Sequence, residues 1–409
     1  MPAPMKRKKK MEKLAIFGGT PVRSESEKIY YGRQWIDEDD VNAVADTLRS
    51  NFITCGPRSE ELERKLCDIT TARHAVVCSN GTAALHLACL AIGIHEGDEV
   101  IVSAMTFAAS SNCVLYCGGT PVFADIRKDT YNIDVEDVKR KITPHTKAVV
   151  AVDFTGQAVE LDELRKICDE HGIFLIEDAA HSIGTRYKGR PVGSIADITT
   201  FSFHPVKTVT SGEGGACMTN DDELYKKLHL LRSHGITKDP AEMVRKSEGP
   251  WYQEQIMLGF NYRLTDFQAA LLISQLNKLE KFDKRRKEIR RIYDAAFSDV
   301  KGLILQESLS DSDTTQHLYI LRIDPAELKC TRREFFDALY AEGTCPQVHY
   351  IPVYRHPYYE KLGYKKGLCP VAEEVYENIL SIPFYAAMSD KDVNDTITAV
   401  RKVCEYYAR

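Results

Sequence analysis

Apolar positions recur along the chain in two alternating rhythms. Short apolar runs, the pattern of strands buried on both faces, occur at 75–78, 99–102, 121–124, 148–153 and 174–177. Between them, apolar residues three and four apart predict helices at 60–70, 82–92, 108–117, 135–141 and 161–171. Gly93 and Gly172 close two of these helices, as a left-handed residue after the last turn favours. Strand–helix alternation of this kind predicts an α/β fold with a mostly parallel sheet covered on both faces. After about residue 265 the rhythm changes. A helix over 265–280 carries Leu271, Leu272, Leu276 and Leu279, and the charged stretch 281–291 continues it as a solvated face. Strands at 317–323 and 346–350 and helices at 332–341, 372–379 and 390–407 predict a smaller α+β unit. The expected division is a flexible tail over 1–25, a large domain over 26–265 and a small C-terminal domain over 266–409.

Composition narrows the function classes. The chain has 409 residues, 54 basic against 59 acidic, and a formal charge of −5, so it carries no electrostatic footprint for nucleic acid. Hydrophobic residues at 44% and charged residues at 28% are ordinary for a globular protein. No apolar run approaches the roughly 20 residues that span a bilayer, and no membrane partner is expected. The twelve cysteines stand singly, with no Cys-x-x-Cys and no Cys/His cluster at zinc spacing. Buried free thiols in a reducing cytoplasm, with no metal site, are therefore expected. The basic start Lys6–Lys10 lacks the apolar stretch of a secretory signal.

Four segments carry candidate chemistry. In Phe201-Ser-Phe-His-Pro-Val-Lys207, a lysine sits among apolar side chains and precedes Ser211-Gly-Glu-Gly-Gly215. Apolar surroundings disfavour the charged amine, lower its pKa and make it a nucleophile toward carbonyls. A lysine snorkelling beside a glycine-rich turn is the plainer alternative. Ser202, five residues earlier, suits a phosphate contact. In Phe174-Leu-Ile-Glu-Asp-Ala-Ala-His181, an apolar strand delivers Asp178 to the carboxyl edge of the sheet, where ligands bind in open α/β folds. A carboxylate there can pair with a protonated pyridine nitrogen, and His181 can lie against the ring or bond its phenolic oxygen. Asp178 could equally cap a helix. In Cys78-Ser-Asn-Gly-Thr82, a strand runs into a helix through Gly81, and helix N–H groups with the Thr82 hydroxyl make a phosphate cradle common to many α/β proteins. Phe107, after the strand 99–102, could stack on a planar ring or belong to the core.

Taken together, Glu177-Asp-Ala-Ala-His181, Phe201-Ser-Phe-His-Pro-Val-Lys207 and Gly212-Glu-Gly-Gly215 resemble the signatures of the DegT/DnrJ/EryC1/StrS sugar aminotransferase family. The resemblance runs from Tyr31-Gly-Arg-Gln34 to the C-terminal helix. It implies a fold-type I, aspartate-aminotransferase-like structure and pyridoxal 5′-phosphate as cofactor. Lys207 would be the lysine that holds the cofactor covalently and serves as acid and base, Asp178 the partner of the pyridine nitrogen, and His181 a third catalytic group. Gly81, Thr82 and Ser202 would hold phosphate, and Phe107 would cover the ring. Asn261 and Arg263, in Gly259-Phe-Asn-Tyr-Arg-Leu-Thr-Asp266, would reach a neighbouring subunit's site in a homodimer with shared sites. Ser233-His-Gly-Ile-Thr237, Gly249-Pro-Trp-Tyr252, His317-Leu-Tyr319 and Gln347-Val-His-Tyr-Ile-Pro-Val353 are similar to the family's pseudaminic-acid branch. That likeness implies a UDP-linked 4-keto-6-deoxy-N-acetylhexosamine as substrate and L-glutamate as donor, giving 2-oxoglutarate. It also implies a sugar-nucleotide cleft lined by Tyr31, Asn51, Phe52, Ile53, Thr54, His317, Gln347, Val348, His349 and Tyr350. The alternatives are another nucleotide-linked keto sugar, or a catalytically silent protein that keeps the fold. Relatives often read Lys-His-Ile-Thr-Thr-Gly where this chain has Lys207-Thr-Val-Thr-Ser-Gly212, a departure that preserves the hydroxyls. The family's dehydratases carry histidine in place of the lysine, so Lys207 argues against that activity.

Overall fold

A computed structural model describes residues 13–409. Its centre is a seven-stranded sheet of β1 (His74–Cys78), β2 (Glu99–Ser103), β3 (Thr120–Ala124), β4 (Thr146–Val152), β5 (Phe174–Asp178), β6 (Ile198–Ser202) and β7 (Gly215–Thr219). The spatial order is β1-β7-β6-β5-β4-β2-β3, with only β7 antiparallel to its two neighbours. The apolar runs exist because the sheet is buried on both sides, and strand pleating sends alternate residues to opposite cores. Ile101, Val149, Ala151 and Leu175 join one apolar cluster with helices Pro57–Thr70, Leu161–His171 and Asp266–Leu276. Val100, Val102, Ala148, Val150 and Ile176 join the other, with helices Gly81–Ala91, Ala109–Tyr116 and Asp222–Arg232. The expected α/β architecture is observed.

The smaller unit is built on a three-stranded antiparallel sheet of Leu303–Leu305, Tyr319–Ile323 and Ile379–Ile382. Side chains of helices Leu279–Phe297, Arg332–Ala341 and Asp390–Tyr407 complete its core.

Several sequence expectations need correction. Of the tail expected over 1–25, residues 1–12 lie outside the described residues. Residues 13–25 are held in place: Leu14 is buried in the small-unit core, and the N–H groups of Ala15 and Val22 donate to the Glu342 carboxylate at 2.8 and 3.1 Å. Ile29–Tyr30 then pairs in parallel with Thr344–Cys345, so the start of the chain packs with its end. Conversely, Leu264, Ala269, Leu272, Leu276 and Phe282 fill the large core, which carries that unit past the expected boundary at 265. The helix expected over 265–280 breaks at Asn277–Lys278, where the Lys278 amine turns to Asp37 and Asp40 at 2.7 and 2.6 Å. The strand expected over 346–350 is absent. Pro346 has no N–H to offer a ladder, Gln347 alone bridges to Ser381, and His349 and Tyr350 both face a cavity instead of alternating. The helix Glu38–Arg49, capped by Asp37, has no counterpart in the sequence expectations.

The buried Glu342 clamp generates a stability prediction. Its carboxylate also pairs with the Lys402 amine at 2.8 Å, so Glu342→Ala leaves a nearly buried ammonium and two N–H groups without their partner. Urea denaturation should show a loss of about 3 kcal/mol, and limited trypsin digestion should cut faster around Arg23. A loss near zero would contradict the clamp.

Candidate active site

Parallel strands deliver their last residues to one edge of the sheet, and the register here aligns the chemistry. Val152 pairs with Asp178 and Asp178 with Thr200, while Gly215 faces both Ser202 and Cys78. A cavity of about 800 Å³ opens over this edge. Ten of the sequence-expected residues line it: Tyr31, Gly81, Thr82, Phe107, Asp178, His181, Ser202, Lys207, His349 and Tyr350.

Each is placed by a local cause. Strand pleating turns Asp178 into the cavity and its neighbour Glu177 to the opposite face, where Thr199 Oγ1 donates to Glu177 Oε2 at 2.7 Å. Burial pushes Glu177 up to about 7, and burial, then the charge of Glu177, drives the neighbouring Asp153 up as well. Asp178 is held by Ser110 Oγ, donating to Oδ2 at 2.6 Å, and by the Ala180 N–H, donating to Oδ1 at 3.2 Å. Thr106 and Ser110 hydroxyls lie 2.7 Å apart. Lys207 lies in the loop between β6 and β7, whose ends are pinned by Phe203 N–H to the Gly214 carbonyl and Ser211 N–H to the Phe203 carbonyl, at 2.8 and 3.0 Å. At the other end of the cavity, Asn80 caps the helix Gly81–Ala91 by accepting the Ala83 N–H at 2.8 Å. The N–H groups of the first turn have no partner within the helix. A Cβ on Gly81 would stand 2.8 Å from Ser202 Cβ, and one on Gly215 would collide with the Asn80 carbonyl, so glycine keeps this corner open.

The electrostatics follow from desolvation. Lys207 is half-buried at the cavity wall, and desolvation pulls its amine's pKa down to about 8 against the opposing pull of Asp178. Burial raises the Asp178 carboxyl, opposed by its two hydrogen bonds and by Lys207. His181 is kept neutral by burial and by the nearby Lys207 and His349, and His349 is pushed down to about 3 by burial and Lys207. The cavity thus pairs one amine, poised to attack a carbonyl, with one buried carboxylate that can hold a cationic ring. Phe107 is 60% exposed and faces Tyr350, with ring centroids 6.1 Å apart; Tyr350 stacks toward His181 at 6.4 Å. The open face of Phe107 excludes the core alternative for it.

Other expected residues lie elsewhere. His317 is buried behind His181, with centroids 4.5 Å apart, and does not line the cavity. Gln347 and Val348 lie outside the cavity lining, Gln347 being tied to Ser381. Asn51, Phe52, Ile53 and Thr54 form an exposed turn that joins Thr265 and Asp266 through the Thr54–Thr265 bridge and the Asp266 N–H to the Ile53 carbonyl at 2.9 Å. Asn261 and Arg263 belong to the same stretch, Asn261 exposed and bridged to Ser233, and neither lines this cavity. Sequence reasoning missed Ser110, Thr106, Tyr116, His86 and Glu213. For the first two a signal existed: Thr106 and Ser110 stand one helical turn apart just after an apolar strand.

Comparisons with known proteins show the family of the chain. The DegT/DnrJ/EryC1/StrS aminotransferase family profile matches residues 34–401. The spore coat polysaccharide biosynthesis protein SpsC of Bacillus subtilis is 42% identical over 386 residues, 93% of this chain and 98% of that protein. A UDP-4-amino-4,6-dideoxy-N-acetyl-beta-L-altrosamine transaminase of Campylobacter jejuni is 38% identical over 378 residues, 91% of this chain and 97% of its own. Among solved structures, Helicobacter pylori PseC, an aminotransferase of pseudaminic acid biosynthesis, superposes with a TM-score of 0.87 at 32% identity, covering 93% of this chain and all of that one. The PLP form of Spr1654 from Streptococcus pneumoniae gives 0.86 at 32% identity, covering 93% of this chain and 99% of that one.

The lowered lysine pKa is directly measurable. Acylation of Lys207 by acetic anhydride in the cofactor-free protein, followed peptide by peptide by mass spectrometry, should reach half its maximal rate near pH 8. Because Asp178 raises the amine's pKa, Asp178→Asn should shift that midpoint to lower pH. A midpoint at the ordinary lysine value would show that the amine is not desolvated.

Proposed function

Because the chain belongs to the DegT/DnrJ/EryC1/StrS aminotransferase family, we propose that it transfers the amino group of L-glutamate to C4 of UDP-2-acetamido-2,6-dideoxy-β-L-arabino-hexos-4-ulose. The product would be UDP-4-amino-4,6-dideoxy-N-acetyl-β-L-altrosamine, for pseudaminic acid synthesis. The chain is a pyridoxal-phosphate-dependent sugar aminotransferase; the particular ketone and donor are the proposal. One observation carries the reading of the site: the desolvated Lys207 amine and the buried Asp178 carboxylate share one cavity at the carboxyl edge of the sheet.

The residues present fit the cofactor. Asp178 would hold its pyridine nitrogen, Phe107 and His181 its ring, and Ser202, Gly81 and Thr82 its phosphate in the corner that glycine keeps open. Lys207 would hold its aldehyde carbon. Pyridoxal phosphate, when bound, supplies a carbonyl that carries the amino group and a cationic ring that draws electrons from the substrate. Lys207, freed when the amino donor takes its place, would take the proton from the substrate carbon as a base and deliver it as an acid to the carbon on the far side of the shared nitrogen. Asp178, whose ionised form is favoured by the hydrogen bonds from Ser110 and the Ala180 N–H, would maintain the positive charge of the ring. Tyr31, His349 and Tyr350 wall the side from which a sugar enters.

We further propose a homodimer with shared sites. Among the described residues, the cavity is lined by one lysine and no arginine, too little positive charge for a phosphate dianion. Arg263, with Asn261 and the turn Asn51–Thr54, lies on one outward surface and makes no ion pair among the described residues. A second copy would bring these groups to the phosphate and the nucleotide sugar. A cytoplasmic location accords with the twelve free cysteines, and no described helix is long and apolar enough to cross a membrane. A second reading has specific support. SpsC, named for spore coat polysaccharide biosynthesis, is 42% identical to this chain against 38% for the C. jejuni transaminase, which supports a role in making another polysaccharide sugar as the alternative.

A panel of UDP-, GDP- and dTDP-linked 4-keto sugars with L-glutamate, scored by 2-oxoglutarate release, separates these readings. The UDP-β-L-arabino ketone should turn over fastest; turnover confined to a GDP- or dTDP-linked ketone would refute the proposed substrate. Lys207→Ala should lower kcat by about 10²–10⁴-fold or more. Mixing inactive Lys207→Ala and Arg263→Ala subunits should restore up to about a quarter of native activity, because half of the randomly formed dimers hold one intact site. No recovery on subunit exchange would contradict shared sites.

A further inference from the structure

Two buried carboxyls that no step of the reaction uses lie directly behind the strand end that carries Asp178. Strand alternation places Glu177 of β5 on the face opposite Asp178, and Asp153, the residue after β4, reaches the same face. Both are fully buried, and among the described residues no lysine, arginine or histidine pairs with either. Three of their four oxygens have donors. Asp153 Oδ1 accepts the Val159 N–H at 2.9 Å, Asp153 Oδ2 the Ser182 hydroxyl at 2.6 Å, and Glu177 Oε2 the Thr199 hydroxyl at 2.7 Å. The fourth, Glu177 Oε1, is buried without a partner; the Gly193 N–H approaches this carboxylate but does not bond to Oε1. We propose that Asp153 keeps its proton and donates it to Glu177 Oε1, so that the pair positions Asp178 and His181 from behind.

Three observations carry this. The first is the orphaned oxygen itself: a buried acceptor is nearly always satisfied, and the Asp153 carboxyl is the neighbour placed to satisfy it. The second is charge. Two adjacent buried carboxylates with no cation repel each other if both ionise, and one shared proton leaves a single negative charge that the Thr199, Ser182 and Val159 donors stabilise. Burial first, and for Asp153 the charge of Glu177 next, raises both carboxyls, in accord with a retained proton. The third is place. Glu177 immediately precedes Asp178, and Ser182, the partner of Asp153, immediately follows His181. The Asp153 N–H also donates to the Asp178 carbonyl at 3.1 Å. The shared proton therefore closes a ring, from Glu177 through Asp153 to Ser182, around the turn that holds both site residues. Asp153 and Glu177 are positioning residues, since neither lines the cavity.

The proton is read directly by infrared spectroscopy of the cofactor-free protein at about pH 8, where ordinary carboxyls are ionised. The native chain should show one neutral-carboxyl carbonyl band that is absent from both Asp153→Asn and Glu177→Gln, in which an amide supplies the donor. A band that either substitution leaves in place, or no such band, would show that the pair shares no proton. The positioning is read in the cofactor-loaded protein. Asp153→Asn, which keeps a donor, should hold kcat per bound cofactor within about threefold of native. Asp153→Ala should lower it about 10- to 100-fold and shift the pH midpoint at which the visible absorbance of the cofactor changes. A merely structural role would reduce the yield of folded protein and leave both quantities unmoved; that result, or equal losses in the two variants, would overturn the proposal. The positioning rests on the roles assigned above to Asp178 and His181, whereas the infrared result does not: a chain that carries the band but aminates no keto sugar refutes the reaction and leaves the shared proton standing.

Discussion

The structure depends on keeping an amine and a carboxylate, Lys207 and Asp178, together on the wall of one cavity where each is partly desolvated. Neither group pays its desolvation alone: burial drives both toward neutrality, and each opposes that drive in the other. The balance leaves a lysine that loses its proton near pH 8 beside an acid stabilised by Ser110 and the Ala180 N–H. In water the same two side chains would both be fully charged at neutral pH and the amine would be a poor nucleophile. The histidines obey the same constraint, since His181 and His349 are held neutral by burial and by the adjacent amine.

The fold meets this demand by register. Six strands run in one direction, so their ends collect at a single edge, and the antiparallel β7 brings Gly215 back to the corner where β1 and β6 finish. The small unit and the start of the chain then wall the cavity with His349, Tyr350 and Tyr31. Tyr31 follows Ile29–Tyr30, which is paired with Thr344–Cys345 and anchored further back by Glu342. Correct placement of one cavity wall therefore depends on packing far from the reacting atoms.

Much of this was legible in the residues themselves. Val149–Val150 and Leu175–Ile176 announce strands buried on both faces, and an apolar strand ending in Glu177-Asp178 points to its own functional edge. What escaped was set by tertiary contact. Nothing local shows that Lys278 will be drawn to Asp37 and Asp40 and break an apolar-rich helix, or that Leu14 will fill a core near the end of the chain. The stretch 346–350 is β-like in composition, yet His349 and Tyr350 serve the cavity rather than a ladder. His317 shows the same limit: its motif places it near the site, but only packing reveals that it stands behind His181. Likewise Asn51–Thr54 and Arg263 are not in the cavity of their own chain, a fact no spacing along one sequence contains.

The most direct measurement is to load the protein with pyridoxal phosphate, reduce it with borohydride and map the modified peptide. The account predicts one phosphopyridoxyl group per chain, on Lys207, with labelling lost in Lys207→Ala. A label on any other lysine, or no label on a protein that still aminates the sugar, would contradict it.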